Sequence, residues 1–203
     1  VFVTHGDADH INGIQELLQN QKQGVEIDAL VLPPEEYMDE KLLHLAEIAK
    51  ENGTRVLTVY AGEKVGTYLK CIAPLTTRKN ERIRGKEEEV PRLEAGNEAS
   101  VVLELKDGAF QMLLTGDLEG RGEEQLVESG ALESCPILKA GHHGSKNSGS
   151  EEFLQIVKPR LTLISAGIEN RYGHPHEETL ERLQKIGSEV LSTQECGAIT
   201  LRS

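Results

Sequence analysis

Between Thr4 and His10 the chain reads Thr-His-Gly-Asp-Ala-Asp-His, two imidazoles and two carboxylates packed into six consecutive residues. An apolar run that reads as a strand end, Val1–Thr4, comes before them. An apolar stripe at helical spacing, Ile11, Ile14, Leu17 and Leu18, comes after. Groups this polar at a strand-to-helix junction cannot be buried without partners. A loop there can turn alternate side chains toward one sheet edge, so that His5 and Asp7 serve one cation while Asp9 and His10 serve a second. Imidazole mixed with carboxylate suits Zn2+, Mn2+ or Fe2+.

The rest of the chain alternates short apolar runs with helical patterns. Strands are expected at Ile27–Leu32, Val56–Tyr60, Leu69–Ala73, Ile137–Lys139 and Leu161–Ser165, and at 189–192 and 198–201. Val101–Leu105 and Phe110–Leu114 form an expected hairpin around Asp107-Gly108. Helices are expected from about Glu36 to Asn52, over Gln125–Leu132, between a Ser148 or Ser150 cap and Pro159, and along the stripe Leu180, Leu183, Ile186. The class is α/β with both hairpins and crossovers. The length of 203 residues fits a single domain. No stretch approaches the roughly 20 apolar residues of a membrane span. Cys71, Cys135 and Cys196 are odd in number and far apart, so neither a disulfide framework nor a CxxC zinc site is readable, and buried small hydrophobes are expected there.

The charge balance, 34 acidic against 22 basic residues, repels polyanions and anionic lipid at long range. With only 3% aromatics the chain is poorly suited to extended base stacking. An anionic substrate must therefore be drawn in locally, by metal ions or by a basic run. Arg78, Lys79, Arg82, Arg84 and Lys86 form such a run inside the polar connection 76–96.

His5-Gly-Asp-Ala-Asp-His10 resembles the HxHxDH signature of the metallo-β-lactamase superfamily, with Asp7 in the usual second histidine position. That exchange adds charge and oxygen character and makes manganese a plausible alternative to zinc. Leu113-Leu-Thr-Gly-Asp117 resembles the superfamily's bridging-aspartate motif. Two four-coordinate ions sharing that carboxylate need roughly seven protein ligands if water fills only the bridge. The first motif and Asp117 leave two to find. The remaining polar motifs are Gly141-His-His-Gly-Ser145 and Tyr172-Gly-His-Pro-His176. Adjacent histidines in an extended segment point apart, so one of His142 and His143 is expected to ligate and the other to act on substrate. The expected sets are His5, Asp7, His143 and Asp117 for one ion, and Asp9, His10, His174 and Asp117 for the other. Where the superfamily often takes a histidine before TGD, this chain has Gly96-Asn-Glu-Ala-Ser100. Asn97, Ser100, Asn147, Asn170 and Tyr172 are expected substrate contacts, and Asp9, His142 and Ser145 the expected catalytic groups.

In this order, with NEASVVL, LKAGHHGSKNS, ISAGIENRYGHP and CGAITL, the motifs are similar over essentially the whole chain to the hydrolase domain of ComEC-type DNA-internalisation competence proteins. The resemblance implies an αββα four-layer sandwich. It lacks the family's usual opening strand pair and preceding membrane channel, as in a fragment of a longer chain. It implies a hydrolase using two divalent ions, Zn2+ or Mn2+, to cleave phosphodiesters of DNA during uptake. The whole protein is then expected to be membrane-associated, with this part on the extracytoplasmic face. Two alternatives stay open: a small-molecule esterase or phosphorylcholine-type phosphodiesterase on the same metal centre, and a DNA-binding accessory domain that cleaves weakly.

Overall fold

The computed structural model describes residues 1–20, 25–76 and 91–202. Its helices are α1 (Ala8–Gln19), α2 (Glu40–Glu51), α3 (Gly120–Glu128), α4 (Glu151–Val157), α5 (Glu177–Lys185) and the single turn α6 (Thr193–Cys196). Its strands are β1 (Ala29–Leu32), β2 (Arg55–Thr58), β3 (Lys64–Val65), β4 (Leu69–Ala73), β5 (Val102–Asp107), β6 (Phe110–Leu114), β7 (Ile137–Lys139), β8 (Leu161–Ile164) and β9 (Glu189–Ser192).

Two sheets form. β1 and β2 pair in parallel, and Phe2 bridges to Val31 on the other side of β1. The second sheet runs β3 to β9 in chain order. It is antiparallel from β3 to β6, with short turns joining β3 to β4 and β5 to β6, and parallel from β6 to β9, where α3, α4 and α5 make the crossovers.

Strand periodicity sorts the core into layers, because successive side chains face opposite ways. In β1, Leu30 and Leu32 join Leu18, Leu42 and Leu45 of α1 and α2. Val31 between them joins Cys71 and Leu103 of the larger sheet. In that sheet Ile72, Val102 and Leu113 turn the other way, toward Leu126, Phe153, Leu154 and Leu183 of α3, α4 and α5. Helices, sheet, sheet and helices therefore stack as the αββα sandwich.

Several boundaries differ from the sequence expectation, each for a local reason. The helix expected from Glu36 begins at Glu40, because the Asp39 carboxylate accepts the Leu42 N–H at 2.9 Å and caps it there. α3 begins five residues before the expected Gln125, running through Gly120 and Gly122, which propensity argues against. A Cβ on Gly122 would lie 1.8 Å from the Glu98 carbonyl oxygen, so only glycine lets α3 press against the turn at Asn97–Ala99. The hairpin turn falls at Gly108-Ala109, one residue later than expected, with Gly108 at φ +57°. Residues 198–201 form no strand, and α6 follows β9 instead. Of the cysteines only Cys71 is fully buried, and Cys196 is exposed. No helix among the described residues is long and apolar enough to cross a membrane. The basic run from Arg78 to Lys86 lies outside the described residues.

Candidate metal centre

The first motif leaves the smaller sheet and enters α1. Gly6 is required at that bend, since a Cβ there would fall 2.3 Å from an Asp39 carboxylate oxygen. Asp7 occupies the N-cap position of α1 without making a side-chain cap bond, so its carboxylate stays free, 3.7 Å from His5 Nε2. Asp9 and His10 lie in the first turn of α1. Thr4 Oγ1 lies 2.9 Å from Nδ1 of His5 and 3.4 Å from Nδ1 of His10, which turns both Nε2 atoms away from the strand.

Those atoms meet Asp117. It follows β6 through Gly116, at φ +54°, where a Cβ would come within 2.9 Å of the Thr4 side chain. The Asp117 N–H donates to Ser100 Oγ at 3.2 Å, which fixes the carboxylate's direction. One oxygen, Oδ2, lies 3.1 Å from His10 Nε2, 3.4 Å from His143 Nε2, and 3.9 Å from the Nε2 atoms of both His5 and His142. Asp117, His5 and His174 are buried.

The His142-His143 segment is not extended as expected. Both residues take left-handed backbone conformations, φ +41° and +54°, in a tight turn between Gly141 and Gly144. The rings still diverge at their far sides. His143 Nδ1 meets the Ser165 carbonyl oxygen at 2.6 Å, and a carbonyl only accepts, so Nδ1 carries the proton and Nε2 is left as a donor atom. His142 Nδ1 meets Glu119 Oε2 at 2.7 Å, with the same consequence. Glu119 also accepts from Asn97 Nδ2 at 3.0 Å. Sequence reasoning missed Glu119. The available signal was its place two residues after Asp117, next to the buried Leu118 and just before α3.

Four donor groups, Asp9, His10, Asp117 and His143, bring one ligand atom each within 4.8 Å of one another. His143 therefore sits with Asp9 and His10, where His174 was expected, while His5 Nε2 lies 3.7 Å from Asp7 Oδ2 and 3.9 Å from Asp117 Oδ2. His174 is set further back, edge-on to His142 with centroids 5.1 Å apart. Asp7, Asp9, Asn97, Asp117, His142, His143, Asn170, Tyr172 and His174 line one open cavity of about 680 Å3. Ser100 is buried behind Asp117. Ser145 is buried and faces Glu119 at 3.4 Å. The Asn147 carbonyl accepts from Gly120 N. The Asn170 amide is spent on its own loop, accepting from His174 N and donating to its carbonyl.

The electrostatics fit cation binding. Burial opposes ionisation of Asp117, but the facing rings of His10 and His143 outweigh it and hold the carboxyl well below the usual carboxylate range. Glu119 raises the pKa of His142, and Asp117 raises that of His143. Burial, then the neighbouring His10, lowers that of His5. His5 Nε2, His10 Nε2 and Asp117 Oδ1 are buried and find no hydrogen-bond partner among the described residues. Buried polar atoms ordinarily do. A divalent cation on either side of Asp117 would satisfy all three, so the residues present fit the ions that the motifs imply.

Comparison with known proteins agrees. Residues 1–168 match the metallo-beta-lactamase superfamily. Over its whole length the chain is 35% identical to ComE operon protein 3 of Bacillus subtilis, of which it covers 24%. About half of it is 39% identical to Competence protein ComA of Neisseria gonorrhoeae and 38% identical to Recombination protein 2 of Haemophilus influenzae, covering 15% and 13% of those proteins. The chain thus spans less than a quarter of the length of these curated relatives. With its sandwich fold, its Asp117-centred donor cluster and this match, the chain belongs to the metallo-beta-lactamase superfamily of metal-dependent hydrolases.

Proposed function

We propose that the chain is a two-metal phosphodiesterase that cleaves DNA during competence, as part of a longer protein anchored to a membrane channel with this part on the extracytoplasmic side. The observation that carries the two-metal reading is Asp117, whose Oδ2 faces the Nε2 atoms of four histidines within 3.9 Å. Asp9, His10 and His143 would hold one ion and His5 and Asp7 the other, with Asp117 shared and His142 able to reach across. Three carboxylates among these ligands make Zn2+ and Mn2+ both suitable. When bound, two such ions supply Lewis acidity toward a phosphoryl oxygen and lower the pKa of water held between them.

The chain's own residues do the rest. Asp117, kept ionised, fixes the spacing of the two ligand groups. Asp9 keeps its carboxylate largely in solvent at the cavity, side chain 64% exposed, where it can orient an attacking water. His142, whose Nδ1–H donates to Glu119, has its pKa raised by that carboxylate, so that with a second proton on Nε2 it would donate to a substrate oxygen. Support for DNA over another ester comes from the relatives, named for competence and recombination.

The test pairs metal analysis with hydrolysis. Protein loaded with Zn2+ or Mn2+ should hold two ions per chain and nick fluorescent DNA, with chelator abolishing both. Turnover confined to a small phosphodiester or a carboxylic ester would overturn the DNA reading. A single bound ion in active protein would overturn the two-metal reading.

A further inference from the structure

Along one wall of the cavity, flat groups follow one another from the metal ligands to solvent. The rings of His143 and His174 lie 21° from parallel with centroids 6.3 Å apart. His174 and Tyr172 follow at 23° and 5.8 Å. The Arg171 guanidinium then sits 4.8 Å over the Tyr172 ring and donates to its hydroxyl at 2.6 Å. His143 belongs to the donor cluster, whereas Tyr172 is 61% exposed.

We propose that Tyr172 and Arg171 form a nucleobase subsite, which seats one unpaired base of a single DNA strand whose neighbouring phosphate lies at the Asp117 cluster. The proposal rests on the phosphodiesterase reading above and names the form of its substrate. An exposed tyrosine is more often a solvated surface residue. Three observations set this one apart.

The loop that carries it is tied down at many points. Asn170 Nδ2 donates to the carbonyl oxygens of Gly167 and His174, and Gln194 Nε2 donates to the same two. Thr193 Oγ1 lies 3.0 Å from both the N–H and the carbonyl oxygen of Ala166. A platform fixed in this way loses little freedom when a ligand binds.

The chemistry of the pair suits a nucleotide. Guanidinium planes and phenol rings both stack on base faces, whatever the base. The guanidinium keeps further N–H donors for an adjacent phosphate. An incoming base extends the ladder, seated on the guanidinium plane and the open part of the Tyr172 ring. A paired base in a duplex keeps its faces inside the stack and reaches such a seat only by flipping out. The position suits it as well, because Tyr172 and Asp117 line the same cavity.

The experiment measures steady-state cleavage of short labelled single strands by metal-loaded protein, using an intact strand and a series in which each position in turn is abasic. One abasic position close to the cut should raise KM by about tenfold, the loss of one base–aromatic stack. Tyr172→Ala should raise KM on the intact strand by a similar factor, change kcat far less, and cause no further loss on that abasic strand. Tyr172→Phe, which keeps the ring, should restore most of the affinity. Arg171→Gln, an exposed change that spares the fold, should show the same strand dependence. Equal losses on intact and abasic strands, or no loss at all, overturn the subsite while leaving DNA cleavage in place. Wild-type protein that hydrolyses a small phosphodiester and cleaves no DNA overturns both readings together.

Discussion

Asp117 bears more of the site than any other residue, because a carboxylate held between two ligand groups cannot be replaced by a neutral isostere without changing both. Asp117→Asn keeps the shape and removes the charge. Activity should be lost and at least one ion retained more weakly, as measured by metal content after dialysis and by turnover. A purified variant with full metal and wild-type turnover would falsify the bridge. The paired histidines carry a finer expectation. His143, nearer to Asp117 and grouped with Asp9 and His10, should be the one whose alanine variant loses metal. His142→Ala should keep metal and lose turnover. Glu119 acts through His142. Glu119→Ala should lower metal affinity, or turnover at full metal content, by roughly 10- to 100-fold, the usual cost of removing the carboxylate behind such an imidazole. Glu119→Gln, which can still accept from Nδ1, should lose much less. The split between affinity and turnover then reports whether His142 ligates. The residue types of the candidate site were legible in the sequence because a metal centre would require them at close spacing. Their grouping was not. It depends on left-handed backbone at His142 and His143, a conformation that a rule based on extended strands could not anticipate.

At the scale of elements, α3 decides how the site's rear wall is built. Its early start through two glycines was invisible to propensity, since the gain is tertiary. Gly122 lets the helix touch the turn that holds Asn97. Ala at this position should gain about 1 kcal/mol in helix propensity and lose roughly 1–3 kcal/mol to overpacking against the Glu98 carbonyl. Gly122→Ala is therefore expected to be net destabilising in denaturant unfolding, and equal or higher stability would show that α3 can shift without cost. The next residue, Glu123, ties α3 to the start of α4. It is 4% exposed and accepts the N–H groups of Gly149 and Ser150 at 2.6 and 2.7 Å. Burial nonetheless raises its pKa above the usual carboxylate value. Between the unfolded and folded values the folded chain holds a proton that the unfolded chain has released. This group's contribution therefore falls as pH rises through that window. Glu123→Gln should flatten that part of the stability–pH curve. It should also cost about 1 kcal/mol, because an amide oxygen cannot accept both N–H groups as the two carboxylate oxygens do. A curve unchanged in slope would show that Glu123 ionises normally in the fold. Most strands, by contrast, were legible in the sequence, because an unbroken apolar run such as Leu30-Val31-Leu32 marks a strand buried on both faces.

For the whole molecule, the proposed DNA substrate requires a chain with formal charge −12 to approach a polyanion. Divalent ions held at the Asp117 cluster would attract phosphate at short range, but an acidic surface opposes the approach over a Debye length of about 8–10 Å in physiological salt. The run Arg78, Lys79, Arg82, Arg84 and Lys86 is the densest basic stretch in the sequence, and it lies outside the described residues. Charge runs of this kind are usually solvated, and then contribute nothing to a ligand. If the run instead meets the DNA backbone, each phosphate it neutralises adds roughly 0.7 to the log–log salt slope on a single strand and about 0.9 on a duplex. Replacing Arg78, Arg82 and Arg84 with Gln should then flatten the salt dependence of DNA binding by about two units. Hydrolysis of a small neutral ester should hardly change, since the metal ligands are untouched. The two measurements separate long-range capture from chemistry at the site. A slope that stays the same in the triple variant would leave the metal centre, with Arg171 at its rim, as the source of attraction for phosphate. A slope that falls together with small-ester turnover would mean that the variant disturbs the fold around Asn97, which follows this connection in the chain.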